Sequence, residues 1–259
     1  MELQAPSHWR AIDFISDLHL QVSERLTFEA WQHYLQSTTA DAVFMLGDLF
    51  EVWVGDDAIT VPSSFEQLCT HALRTASDRL ALYILHGNRD FLMGQALMQA
   101  TGATFISDPT LLRFADQRYL LTHGDALCLE DTAYLAFRAQ VRTNTWQTIF
   151  LEKPLAERQV LARQMRIQSE LRKQSDAKYA DVDAAAADQL LRDFEAETMI
   201  HGHTHKPNHH ALGGTRSRWV LSDWDLDHTP ARADVLRITQ QQPRPCRLDA
   251  TTLQPKKLG

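Results

Sequence analysis

A layered α/β fold with a helical insertion is what this sequence predicts, on three observations. Short apolar runs alternate with segments of helical spacing. Nearly every early run stops at a polar or imidazole side chain, often beside a glycine. A single stretch, residues 131–195, breaks the alternation and reads as mostly helical. The runs AIDFIS (11–16), AVFML (42–46), LALYIL (80–85), RYLLT (118–122) and TMI (198–200) read as buried strands, with RWVLS (218–222) and ADVLRI (233–238) as two more. After Ser23, expected to cap a helix, Phe28, Trp31 and Leu35 recur at i, i+3 and i+7. Pro154 is expected to open a helix in the insertion at its first turn, and LLRDF (190–194) to close the last one. Residues 1–130 and 196–240 then form the core. The tail, 241–259, is polar, carries three prolines and is expected to fray. No internal repeat is visible.

Composition removes several functions. With 44% hydrophobic and 23% charged residues, the 259-residue chain has the balance of a globular protein. No run of eighteen apolar residues exists to span a membrane as a helix. The N-terminal MELQAPSHWRAIDF lacks a basic region followed by an apolar one, so no secretory signal is expected. Cys69, Cys128 and Cys246 stand singly, which excludes paired thiolate zinc motifs and fits reduced thiols in the cytoplasm. A net charge of −7 argues against general nucleic-acid binding.

The chemistry lies in the polar residues at the end of each strand. Asp17-Leu18-His19 comes after the first, Gly47-Asp48 after the second and His86-Gly87-Asn88-Arg89-Asp90 after the third. His123-Gly124-Asp125 and HGHTHKP (201–207) come after the next two. In α/β sheets, sites form outside the carboxyl ends of strands. These loops would therefore bring Asp17, His19, Asp48, Asn88, His123, His203 and His205 to one rim. Glycine permits the tight turns that aim such side chains. Carboxylate, amide oxygen and imidazole without thiolate suit manganese(II), iron(II) or zinc. Seven donors exceed the needs of one catalytic ion, so two ions sharing a carboxylate fit better. Each piece alone has a plainer explanation: Asp-Leu-His as a capped turn, Gly-Asp as an ordinary turn, His203-Thr204-His205 as an exposed loop. Their occurrence in this order, one at each strand end, favours the metal. His86 and His201 precede their glycines and read as structural, while His209 and His210 read as a solvated loop.

The order D-x-H, GD, GNRD, H and GHxH resembles the calcineurin-like metallophosphoesterases over residues 11–207. FISDLHL, LGDLFEVWVGDD, LHGNRDFLMG, THGDALCLEDTAYLAFRAQVR and IHGHTHKP are most similar to the branch that cleaves UDP-2,3-diacylglucosamine in lipid A biosynthesis. That resemblance implies two manganese(II) ions, one on Asp17, His19, Asp48 and His205, the other on Asp48, Asn88, His123 and His203, with Asp48 shared. It implies attack by an activated water on the α-phosphorus, giving UMP and 2,3-diacylglucosamine 1-phosphate. Asn88, Arg89 and His203 would meet the substrate, joined from the insertion by Asp131, Ser169 and Lys173, with Lys178 as a rival to Lys173. Family members carry further polar and lysine contacts after that serine, and SELRKQSDAKYADVD departs from their pattern.

The insertion also has its own character. From Arg138 to Lys178 there are nine Lys+Arg against four Asp+Glu, while the rest of the chain has seventeen against twenty-nine. Apolar residues from Val141 to Met165 are interleaved with these cations. The plain explanation is an amphipathic helix pair with a solvated basic face. The resemblance favours an acyl-chain cap resting on the cytoplasmic face of the inner membrane, with Arg163 and Arg166 facing anionic lipid. A soluble nucleotide, phosphomonoester or cyclic phosphodiester is the alternative substrate, and it leaves that basic, apolar surface without a role. A non-enzymatic scaffold is disfavoured because all seven donor positions are filled.

Overall fold

The structure, a computed structural model, describes residues 1–174 and 181–256, the side chains of 167–174 excepted. In chain order the elements begin with β1 (Glu2–Gln4), β2 (Ala11–Ile15), α1 (Arg25–Ser37), β3 (Ala42–Leu46) and α2 (Phe65–Ser77). Then come β4 (Ala81–Leu85), α3 (Gln95–Thr101), β5 (Thr104–Phe105), β6 (Thr110–Phe114) and β7 (Gln117–Leu121). The helices α4 (Thr132–Val141), α5 (Asn144–Leu151), α6 (Leu155–Gln174) and α7 (Ala184–Asp193) are next. The last are β8 (Thr198–His201), β9 (Asn208–Ala211), β10 (Ser217–Val220), β11 (Asp234–Thr239) and β12 (Cys246–Asp249).

Two six-stranded sheets result, in the orders β1-β6-β7-β8-β10-β9 and β12-β11-β2-β3-β4-β5. Strand alternation explains how they stack. Ile12 and Phe14 of β2, with Ala42, Phe44 and Leu46 of β3, join Tyr119 and Leu121 of β7 in one core between the sheets. The alternate residues Ile15, Val43 and Met45 face the other way, into a second core under α1, α2 and α3. On the outer face of the first sheet, Leu120 and Met199 pack with Ala187 and Leu191 of α7. Successive side chains on a strand point to opposite faces, so strands buried on both sides must be apolar throughout. AIDFI meets this rule only because Asp13 is neutralised. Its carboxylate accepts from the Tyr34 hydroxyl (2.9 Å), the Thr38 hydroxyl (2.7 Å) and Arg237 Nε (2.6 Å).

Four expectations change here. Ser23 does not cap α1: the residue preceding the helix is Glu24, whose side chain makes no capping bond. Asp227, distant in sequence, accepts instead from the backbone N–H groups of Leu26 (3.3 Å) and Thr27 (3.1 Å). The tail is not frayed through its described residues. β12 pairs antiparallel with β11, and Leu248 and Arg247 are buried, Arg247 donating to the Val220 carbonyl (2.9 Å). His209 and His210 lie on β9, an edge strand paired with β10, and the His209 ring packs on Trp219 with centroids 4.4 Å apart. Finally, α7 is a layer on the first sheet, so the outlying part of the insertion is α4 to α6.

Those three helices divide the apolar residues of the insertion into two sets. Val141 and Phe150 are buried, and Trp146, Leu155 and Leu161 pack against the core beneath α1–α3. Ile149, Leu151, Val160 and Met165 are exposed, Ile149 by 58% and Val160 by 49%. A buried cation fixes the arrangement. Arg158 of α6 donates to the Val54 and Lys153 carbonyls and to Asp57, gripping the WVGDD loop. Its neighbour in that loop, Asp56, accepts from the N–H groups of Gly94 and Leu97 (both 2.9 Å), which ties the loop to the start of α3.

Candidate metal centre

All seven side chains picked out at strand ends belong to loops at one rim, three loops from the second sheet and two from the first. Loop-to-loop backbone bonds hold them in register. Asp17 N–H donates to the Gly47 carbonyl and His19 N–H to the Asp48 carbonyl, both at 3.1 Å. His203 N–H donates across the sheets to Asp17 Oδ2 (2.9 Å). Five of the seven, Asp17, His19, Asp48, His203 and His205, have φ between 48° and 68°. Each left-handed residue costs about 1 kcal/mol, and such strain persists only where surrounding structure enforces it. Asp and His are among the residue types that tolerate this region best. Two glycines are required by close approach. A Cβ on Gly87 would overlap Asp48 Oδ1 and its backbone nitrogen, and one on Gly202 would overlap Asp17 Oδ2 and Ser16 Oγ.

The electrostatics point to cations. His123 Nδ1 donates to the Leu46 carbonyl (2.9 Å), which turns its Nε2 toward the centre. Nε2 lies 3.0 Å from Asn88 Oδ1 and 3.7 Å from Asp48 Oδ1, both acceptors, so a proton or a cation must stand there. His19 Nδ1 faces Glu51 Oε2 at 3.2 Å, and His205 Nδ1 faces Asp223 Oδ2 at 3.6 Å. The two Nε2 atoms approach to 3.1 Å, and His205 Nε2 is 3.4 Å from Asp17 Oδ1. Lone pairs gathered this closely repel unless a cation or a proton stands among them. Carboxylates behind the far nitrogens of imidazoles are the usual means of orienting metal-binding histidines. The donor set therefore fits divalent metal.

Side-chain acidities have the same cause. Burial alone would raise the Asp17 carboxyl, but the His205 hydrogen bond and the charges of His205, His123 and His19 hold it well below the usual range. Burial alone would lower His123, yet Asp48, Asp17 and Asp125 hold it up at about 9. Burial and then the charge of His123 push His203 down to about 4.

Two close groups lie at this rim, Asp17–His19–His205 and Asp17–Asp48–His123. Asp17 is common to both, whereas the family resemblance gives the shared position to Asp48. His203 joins through Asn88 Oδ1, 2.8 Å from its Nδ1. His86 and His201 are structural, as their placement before glycine implied. His86 Nε2 donates to the Met93 carbonyl (2.7 Å), and fully buried His201 receives Arg218 Nη1 (3.2 Å). Burial first among the causes pushes them down, to about 4 and about 3.

Around the donors lie further charged residues, some of which carried no signal in the sequence. Glu51 accepts from Arg89 Nη1 through both oxygens (2.9 Å each) and pairs with Arg166 of α6. Arg166 thus points inward, not toward lipid, because a buried carboxylate requires a cation. Arg138, Arg142 and Arg158 also make inward contacts, so four of the nine cations of the insertion serve its docking. Asp90 accepts from the N–H groups of Gly87 (2.8 Å) and Leu49 (2.7 Å), clamping two donor loops together. Burial, then the charge of Asp48, pushes it up to about 7. The fixed GNRD spacing marked Asp90. Nothing local marked Glu51 or Asp223. Asp131 is exposed and caps α4, accepting from Tyr134 N–H (3.0 Å). The side chains of Ser169 and Lys173 on α6, and the whole of Lys178, lie outside the described residues.

Residues 11–207 match the calcineurin-like phosphoesterase family. The chain belongs to that family. It is 42% identical to a UDP-2,3-diacylglucosamine hydrolase of Bordetella pertussis, over 92% of this chain and 93% of the relative. It is 44% identical to the protein of the same name from Chromobacterium violaceum, over 83% and 90% respectively. Family membership makes the chain a metal-using hydrolase, and no helix among the described residues is long and apolar enough to cross a membrane.

Asp48→Ala is expected to lose both metals and essentially all activity, while Asp17→Ala keeps one metal. Elemental analysis of the purified variants reads this directly. The reverse pattern would transfer the shared position to Asp17, and full occupancy in Asp48→Ala would remove it from the centre.

Proposed function

We propose that the chain hydrolyses the pyrophosphate bond of UDP-2,3-diacylglucosamine at the α-phosphorus, giving UMP and 2,3-diacylglucosamine 1-phosphate (lipid X) for lipid A synthesis. The observation that carries this reading is the convergence of seven donors beside a cap with an exposed apolar face, in a chain whose relatives bear that substrate in their names. Asp17, His19, Asp48 and His205 would hold one manganese(II) ion, and Asp48, Asn88, His123 and His203 the other. Ions so placed supply an activated water at neutral pH and offset charge on the phosphoryl oxygens.

The chain's own residues do the rest. Arg89 and Arg166 converge on one carboxylate, Glu51, next to His19. A phosphate offers a guanidinium fork the same planar pair of acceptors as a carboxylate, so both arginines are set to exchange Glu51 for a substrate phosphate. Asn88 Oδ1 and His203 Nδ1 sit 2.8 Å apart, and both would also meet the substrate. Asp131, Ser169 and Lys173, with Lys178 as the rival, extend the contacts toward the sugar. No serine nucleophile is needed, and His123 and His203 act as ligands.

Acyl chains need an apolar partner that a soluble substrate does not. Phe137, Ile149, Leu151, Val160 and Met165 on α4–α6 present one. These exposed side chains would also meet the cytoplasmic side of the inner membrane. Hydrophobic contact would contribute to this attachment, and the cations at Arg138, Arg142, Arg158 and Arg166 would contribute little, being engaged inward.

Product analysis with UDP-2,3-diacylglucosamine and manganese tests the reaction: UMP is expected, and release of UDP or free phosphate would overturn it. For the cap, the double variant Ile149→Glu/Val160→Glu should sediment less with anionic vesicles than wild type while retaining its metal content. Equal sedimentation would contradict a membrane-facing α5–α6.

A further inference from the structure

The first helix of the cap contacts the metal centre through one face. Tyr134, Arg138 and Arg142 are spaced by four residues along α4 and its C-terminal cap, and so project from the same side. The Tyr134 ring stacks on the His203 ring, with centroids 6.1 Å apart and planes at 28°. His203 in turn packs edge-on against His123, with centroids 5.1 Å apart at 67°. The Tyr134 hydroxyl and Arg138 Nε (2.8 Å) both donate to Asp125 Oδ2, a buried carboxylate two residues beyond His123. Arg142 Nη2 donates to the Gly87 carbonyl (2.7 Å), immediately before Asn88, while its guanidinium lies 5.2 Å from the Phe91 ring centroid. Together the three side chains reach the loops of Asn88, His123 and His203.

We propose that α4 is a strut that positions the Asn88–His123–His203 half of the centre, with Tyr134, Arg138 and Arg142 as positioning residues. The cap then does more than cover a substrate. Its seating fixes the orientation of one set of metal donors, and by thermodynamic reciprocity a metal bound there stabilises the seated cap. Glu51, behind His19, is held from another direction by Arg89 and by Arg166 of α6. Loss of the α4 contacts therefore weakens one half of the centre selectively. Groups that orient metal ligands typically change affinity about 10–100-fold when removed.

The proposal rests on the two-ion reading, and the experiment separates the two. Manganese titrations of the full chain, with elemental analysis and electron paramagnetic resonance as readouts, would compare wild type with Arg142→Ala and Tyr134→Phe. Tyr134→Phe keeps the ring on His203 and removes only the hydroxyl, so the fold tolerates it. In each variant one of the two ions is expected to bind about 10–100-fold more weakly, and the coupled spectrum of a manganese pair should give way to that of an isolated ion. Arg142→Lys, which can still donate to the Gly87 carbonyl, should restore the pair. Arg163→Ala, at an exposed residue bonded to Gln159 of its own helix, should leave it intact. Two ions at wild-type affinity in both variants would overturn the proposal. So would parallel loss of both ions with a lowered melting temperature, the signature of general destabilisation. A wild-type chain that binds a single ion would overturn the two-ion reading and the proposal with it.

Discussion

Crowding of buried imidazoles and carboxylates is the constraint on which this structure depends. At the carboxyl ends of five strands, imidazole nitrogens lie 3.0–3.7 Å from each other, from an amide oxygen and from carboxylate oxygens, so cations or protons must stand among them. A protein holds such a cluster together only through rigid surroundings. Here these are two stacked sheets, loops whose backbones bond to one another, and five residues forced into left-handed geometry. The cost of that arrangement is recovered when cations enter, which links the architecture of the core directly to its chemistry.

Much of this was legible because metal chemistry restricts residue type. Asp17, His19, Asp48, Asn88, His123, His203 and His205 could be selected from their positions after apolar runs, and the strands β2, β3, β4, β7, β8, β10 and β11 from the runs themselves. Structure that depends on a distant partner was not legible. β9 and β12 are short and polar, and each is a strand because a neighbour offers a ladder. The cap of α1 comes from Asp227, far along the chain, so the local sequence around Ser23 does not reveal it. Glu51 became significant only when folding placed it against His19, Arg89 and Arg166.

The insertion shows how composition can mislead about direction. Nine cations in one segment point, on composition alone, to an outward basic face. Several of them instead neutralise buried carboxylates or satisfy loop carbonyls, because a cap docked over a metal centre must match that centre's negative charge. Outward there remain apolar side chains, at Ile149, Leu151, Val160 and Met165. A single segment thus divides its side chains: Arg138, Arg142, Arg158 and Arg166 face the donor loops and the WVGDD loop, while Ile149, Leu151, Val160 and Met165 stay exposed.

Anomalous diffraction at the manganese edge from crystals grown with the metal tests the central claim most directly. Two peaks roughly 3.5–4 Å apart are expected. One should lie among Asp17, His19 and His205, the other among Asn88, His123 and His203, with Asp48 between them. A single peak, or peaks away from these side chains, would contradict an architecture built to bring seven donors onto a pair of cations.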